Sequence, residues 1–235
     1  MINYYNDLVF CLDRKQLLFL KSLIRTYDIK TMLDLACGYG CTAISMARWG
    51  LRVTAVDSSL FLVQHLREKV ARNDLEISVL IGDMRDIGKM YHGRSQLAIC
   101  LGNSLFRLLG EEDIWGTLAQ IYLHLLPGGM IVIHTLNYDY LIRQGRVPVV
   151  VAEKHDRDHI IRLFFEKGID DKCSSLIFRR CLGERTIREE KMPVLPVPSR
   201  KVNIWLAELG FKGITNYHCF GAETNFQLFT IARRP

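Results

Sequence analysis

Leu33-Asp34-Leu35-Ala36-Cys37-Gly38-Tyr39-Gly40 is the stretch on which the reading of this chain turns. It begins inside a short aliphatic run, MLDLA (32–36), and places glycines at 38 and 40 just ahead of a helical pattern. A strand that ends in such a turn brings backbone N–H groups to a ligand at the helix N-terminus, with no Cβ in the way. Further short runs follow: VTAV (53–56), ISVLI (77–81), LAICL (97–101) and MIVIH (130–134). None alternates strictly, as expected of strands covered on both faces. Helical patterns lie between them, and one over 14–27 precedes the first strand. The clearest sets Ile114, Leu118, Ile121 and Leu125 on one stripe and is expected to stop at Pro127-Gly128-Gly129. Repeated strand–helix units imply a parallel, doubly wound α/β sheet with right-handed crossovers.

After Asn137 the rhythm changes. VPVVVAE, HIIRLFFEK, SLIFRRCL and ERTIREEKM, within 147–192, read as strands without helices between them. Ile161, Leu163 and Phe165 alternate with polar neighbours, the pattern of a half-exposed antiparallel sheet. PVLPVPS (193–199) breaks it, since proline removes ladder donors. Ser199 is expected to cap a helix carrying Val202, Trp205, Leu206 and Leu209 and ended by Gly210. Strands near 211–220 and 226–232, joined by a short turn, read as an antiparallel last pair. The expected organisation is a Rossmann-like domain of residues 1–146 and 199–235, with an antiparallel β cap, 147–198, over the acceptor pocket.

Bulk properties narrow the function classes. The 235 residues suffice for one core plus a modest insertion, and 49% hydrophobic with 24% charged residues is ordinary globular composition. No apolar run reaches the roughly 18 residues of a membrane span. The opening MINYYNDLVFCLDRK is acidic and polar where a signal peptide is basic then apolar, so export is not expected. Seven cysteines, an odd number without a CxxC pair, read as reduced thiols of a cytoplasmic protein. Cys37 and Cys41 lack partners at ligand spacing, so no metal is expected. The net charge of +6 raises the question of nucleic acid. Between Asp139 and Arg200, however, 13 basic residues mix with 10 acidic ones, and nucleic acid is not expected as a partner. Assembly into a homo-oligomer is compatible with the sequence.

The second strand ends in Asp57, where a carboxylate can accept both hydroxyls of a ribose. Singly, Gly38 and Gly40 could form a plain tight turn and Asp57 a helix cap. Together they point to an adenosine-containing ligand, with Ala36 and Ser58 flanking it. GYGCTA (38–43) also fits a loose dinucleotide fingerprint, so an NAD enzyme has to be weighed. Three features oppose it. Asp34, four residues before Gly38, can reach a cationic amino group or orient the glycine turn. GDMRD (82–86) offers Asp83 to an adenine amino group, with Met84 beside the ring. The third is the antiparallel last pair.

With D-x-x-x-G-x-G, an acid ending strand two and an acid after strand three, the chain resembles the class I S-adenosylmethionine-dependent methyltransferases. CLGNS (100–104), PGG (127–129) and NYD (137–139), followed by a sheet insertion, look like the glycine/sarcosine N-methyltransferase family and its bacterial relatives. That likeness implies a cofactor amino group held by the Leu101 carbonyl, Asn103 lining the transfer site, and Tyr138 or Tyr140 facing a small-molecule acceptor. It also implies an aromatic lid from Tyr4 and Tyr5, and a cofactor carboxylate paired with Arg14 or Lys15. His134, ending strand five, is a further candidate for keeping an acceptor amine neutral. The implied reaction is in-line methyl transfer from S-adenosylmethionine, leaving S-adenosylhomocysteine, without a metal. An RNA methyltransferase and a silent cofactor-binding protein are the alternatives. One departure bears on substrate. Glycine-methylating relatives carry arginine immediately before NYD, where this chain has Leu136, so glycine is not the expected acceptor. Arg107 is the nearest candidate replacement.

Overall fold

The computed structural model describes residues 12–145, 148–156, 158–168, 173–183, 185–218 and 226–235. Helix α1 (Arg14–Thr26) is opened by a capping box: Asp13 accepts from the Gln16 N–H at 2.8 Å, and the Gln16 side chain accepts from the Asp13 N–H at 2.9 Å. Strand β1 (Thr31–Leu35) then leads through the glycine turn into α2 (Cys41–Arg48). The same unit repeats as β2 (Arg52–Asp57) with α3 (Leu60–Asn73), and as β3 (Ile77–Ile81) with a 3₁₀ turn and the short α4 (Ile87–Met90). Strand β4 (Ser95–Cys100) is followed by a 3₁₀ turn, Ser104–Leu108, and by α5 (Glu111–Leu123).

Strand β5 runs Leu125–Leu136. Leu125 therefore opens the strand instead of closing the helical stripe, and Pro127-Gly128-Gly129 lies inside β5. Register explains how. Ser95 pairs with Leu125 but Leu97 with Met130, so the proline and glycines loop out of the ladder as an irregularity.

The main sheet has the order β10-β11-β5-β4-β1-β2-β3, with β1 to β5 parallel and β10 (Lys212–His218) and β11 (Gln227–Arg233) antiparallel. Strand order reverses between β1 and β4, where the loops part and leave a crevice at the carboxyl ends. Alternation splits the core between two faces. Met32, Ala55 and Ile99 pack under α1, α2 and α3, whereas Leu33, Leu35, Ala98 and Ile131 pack under α5 and α7 (Ser199–Glu208). Pro198 is the N-cap of α7. The expected cap, Ser199, is its first helical residue, because the Pro198 carbonyl accepts the first helical bond, from the Val202 N–H at 3.3 Å; the Ser199 N–H is met by Asp139 Oδ2 at 2.9 Å.

A second, four-stranded antiparallel sheet comprises β6 (Val149–Asp156), β7 (His159–Glu166), β8 (Ser174–Leu182) and β9 (Arg185–Val194). Ile161, Leu163 and Phe165 are buried as the alternation predicts. They join the same core as Phe106 and Tyr138, the last residue of that group opening the short α6 (Tyr138–Leu141). The Leu195 N–H donates to the Phe106 carbonyl at 2.8 Å and ties the end of this sheet to the loop after β4.

Candidate functional site

At the crevice the backbone passes three times through left-handed conformations, at Ala36 (φ 55°), Gly38 (φ 57°) and Gly40 (φ 75°). Gly40 is there for space as well as conformation, since a Cβ would lie 2.3 Å from Leu66 Cδ1. The turn is held by Asp57. One carboxylate oxygen accepts from the Gly38 N–H at 2.8 Å, and the other accepts from the Ser59 N–H at 2.9 Å. Ser59, not Asp57, caps α3.

Above this turn lies a cleft of about 500 Å³. Asp34, Ala36, Gly38, Asp57, Ser58, Asp83, Met84 and Leu101 all line it; Gly40 shapes the turn from behind. Asp34 is 2% exposed, and its Oδ2 has no hydrogen-bond partner. Burial, then the charges of Asp57 and Cys41, raise its pKa to about 8. An uncompensated carboxyl of this kind is matched by a ligand cation, which would return it to the ionised form.

Asp83 is more engaged than its sequence position suggests. The Arg85 guanidinium donates to both carboxylate oxygens, at 3.1 and 2.8 Å, and the Arg85 N–H adds a third bond at 2.9 Å. This hydrogen bonding lowers the pKa of Asp83. Arg85 also reaches Asp113 on α5 at 3.1 Å. Arg85 lines the cleft and was missed by the sequence reading; its signal was the two-residue spacing within GDMRD. Glu190 and Met192 of β9 line it too, from the second sheet, as do Tyr39 and Ser104.

Behind the loop Leu101–Ser104 is a second, much smaller cavity, bounded by Gly102, Asn103, His134, Thr135, Leu136, Val151, Ala152, Leu163 and Gln227. Asn103 (φ 64°) is 1% exposed. Its Oδ1 accepts from the Leu136 N–H at 3.2 Å and from the Tyr138 hydroxyl at 2.9 Å, while Nδ2 finds no partner. The His134 ring stacks on Phe229, 4.4 Å between centroids, and its Nδ1 accepts from the Gly102 N–H at 3.3 Å. Burial lowers its pKa to about 4, an effect that Gln227 partly offsets. Nε2 has no hydrogen-bond partner.

Other candidates are placed elsewhere. Tyr138 is buried between Phe106 and Phe165, and holds Asn103 instead of facing either cavity. Tyr140 packs edge-on against Phe226 and lines neither. Arg14 is exposed on the first turn of α1, and neither it nor Lys15 lines the cleft. Tyr4 and Tyr5 lie outside the described residues. Arg107 does line the cleft. Among the described residues, no group of three or more His, Cys, Asp or Glu could hold a metal ion, and no helix is long and apolar enough to cross a membrane.

Comparison with known proteins agrees with this geometry. A family model described as a methyltransferase domain matches residues 32–129. The chain is 32% identical over 206 residues to a glycine/sarcosine N-methyltransferase of Aphanothece halophytica, a match spanning 86% of this chain and 73% of that one. A glycine/sarcosine/dimethylglycine N-methyltransferase and two further glycine/sarcosine N-methyltransferases are matched over 22%, 45% and 42% of their own lengths. Among solved structures, an S-adenosylmethionine-dependent methyltransferase from Clostridium acetobutylicum superposes with a TM-score of 0.79. Its sequence identity is 16%, and the match covers 98% of this chain and 96% of that one. An S-adenosylmethionine-bound amino pentose methyltransferase from Micromonospora echinaspora gives a TM-score of 0.68 at 16% identity, covering 93% and 90%.

Proposed function

Since the chain belongs to the class I S-adenosylmethionine-dependent methyltransferases, we propose that its cleft binds that cofactor and presents the methyl group to a small-molecule acceptor, an amine or a hydroxyl. The observation that carries this is the convergence of Asp34, Gly38, Asp57 and Asp83 on one cleft at the strand-order reversal. The residues fit the cofactor. The volume falls in the range of about 300–1,000 Å³ usual for small-molecule sites. Asp34 offers a buried, unpartnered carboxylate oxygen to a cationic group. Each oxygen of Asp57 takes one backbone donor and keeps a lone pair for a ribose hydroxyl. Asp83, braced by Arg85, and Met84 line the same cleft and are assigned to the edge and face of the adenine.

When bound, the cofactor supplies a methyl group already activated on sulfonium. The protein's work is then to hold the acceptor in line and exclude water. Asn103 and His134 are assigned to the acceptor side, with Tyr138 positioning Asn103. The Aphanothece and Micromonospora relatives are both named for nitrogen substrates, which supports an amine. The second sheet, as a cap of residues 147–198 on a domain formed by the rest, contributes Glu190, Met192 and Leu163 to the walls. Three of its cations are matched across strands, Arg162 by Glu153, Arg179 by Glu189 and Lys191 by Glu166, which supports a small molecule over RNA. A cytoplasmic setting is part of this reading, since none of the five described cysteines forms a disulfide.

The direct test is S-adenosylhomocysteine calorimetry on Asp57→Ala. Affinity should fall by about 1.5–3 kcal/mol, the scale of a lost charged hydrogen bond. A folded variant with unchanged affinity removes Asp57 from the ribose site. Tight RNA binding with a steep salt dependence would overturn the small-molecule assignment.

A further inference from the structure

Asp83 and Arg85 are joined more rigidly than an exposed ion pair requires. Oδ1 of Asp83 accepts from the Arg85 backbone N–H at 2.9 Å and from Nε at 3.1 Å, and Oδ2 accepts from Nη2 at 2.8 Å. The other arm of the guanidinium, Nη1, donates to Asp113 Oδ2 on α5 at 3.1 Å. A guanidinium is planar and holds its donors in a fixed fork. Arg85 therefore sets the plane of the Asp83 carboxylate, and α5 in turn sets Arg85. The side chains of Asp83, Arg85 and Asp113 are 35%, 49% and 44% exposed, and ion pairs this open add little to stability. Asp83 and Arg85 both line the cleft, so what their pairing governs lies there.

An ionised carboxylate offers about four acceptor positions. Arg85 fills three of them and leaves the last on Oδ2. The same bonds lower the pKa of Asp83, so this carboxylate stays ionised and has no proton to give. The position left over can meet an N–H and repels a carbonyl oxygen. That contrast separates adenine, which carries an amino group at C6, from hypoxanthine, which carries oxygen there. Resting on the assignment of Asp83 to the adenine edge, we propose that Arg85 is a positioning residue that fixes this carboxylate and makes the cleft select a 6-aminopurine nucleoside over its 6-oxo counterpart.

Calorimetry on the full chain, with S-adenosylhomocysteine and separately with its deaminated form S-inosylhomocysteine, gives the ratio of the two affinities. The parent should prefer the adenosine ligand by about tenfold or more, the scale of a charge-assisted hydrogen bond lost. Arg85→Gln should lower that ratio by about fivefold or more, through weaker binding of the adenosine ligand, with the thermal midpoint of the free protein little changed. Arg85→Lys keeps the charge without the fork and should lower the ratio less. A merely structural role would weaken both ligands alike, so a ratio equal to the parent's in either folded variant overturns the proposal. Equal affinities of the parent for the two ligands overturn it as well. Asp83→Asn tests the underlying assignment, because an amide can also donate to a 6-oxo group, and its ratio should fall to about threefold or less. An unchanged ratio in that variant would overturn the placing of Asp83 at the adenine. Absence of S-adenosylhomocysteine binding by the unmodified protein would instead overturn the cofactor assignment.

Discussion

Asp34→Asn should act in opposite directions on the free protein and on its complex. In the free protein the Asp34 carboxyl is raised to about 8 by burial, with Asp57 and Cys41 adding to it. The unfolded chain ionises this group near the usual aspartate value of 3.8. A carboxyl whose folded pKa is raised favours folding fully below the unfolded value, and that contribution is lost as pH climbs to the folded value. At pH 7 the interval crossed is about three units, which at 1.36 kcal/mol per unit is about 4 kcal/mol. Asparagine keeps the shape and cannot ionise. The variant should therefore be more stable than its parent at pH 7–8 by as much as that amount, and the difference should vanish near pH 4. Binding should move the other way, with S-adenosylhomocysteine affinity falling by about 1.5–3 kcal/mol as the partner of its cationic group is lost. Urea unfolding of the ligand-free pair at several pH values gives the first quantity and calorimetry the second. A parent–variant difference that stays flat from pH 4 to 8 refutes the burial argument. An unchanged affinity refutes the placement of the cation.

Gly40→Ala should lose at least about 2 kcal/mol, because φ is +75° and the new Cβ would force Leu66 aside; a thermal midpoint equal to the parent's would contradict this. Tyr138→Phe removes the 2.9 Å bond that holds Asn103. It should cost about 1 kcal/mol of stability and lower kcat/KM for the acceptor, with S-adenosylhomocysteine affinity unmoved. Glycine and sarcosine at millimolar concentration should be poor acceptors in steady-state assays, since Leu136 is buried and offers no side-chain donor. Efficient glycine turnover would show that Leu136 does not decide the substrate.

Most of the cofactor side could be read from the chain because its signals are local. The turn at Gly38 and Gly40, Asp57 closing β2 and Asp83 within GDMRD each lie at a strand end, and a parallel sheet aligns strand ends on one edge. The apolar runs announced β1 to β5, and the alternation at Ile161, Leu163 and Phe165 announced the second sheet. What needed the folded chain was every feature decided by partners distant in sequence. Ser199 looked like a cap but is the first helical residue, its N–H met by Asp139, 60 residues earlier. Leu125 fitted the helical stripe, but pairing with Ser95 made it strand. Glu190 and Met192 reach the cleft only because the second sheet packs against the loop after β4. Tyr138 has an aromatic ring suited to facing a substrate, yet Asn103, 35 residues away, claims its hydroxyl. Local sequence sets backbone conformation and strand identity, whereas a buried polar atom takes whichever partner the packed core brings within about 3 Å. That choice belongs to the tertiary structure alone.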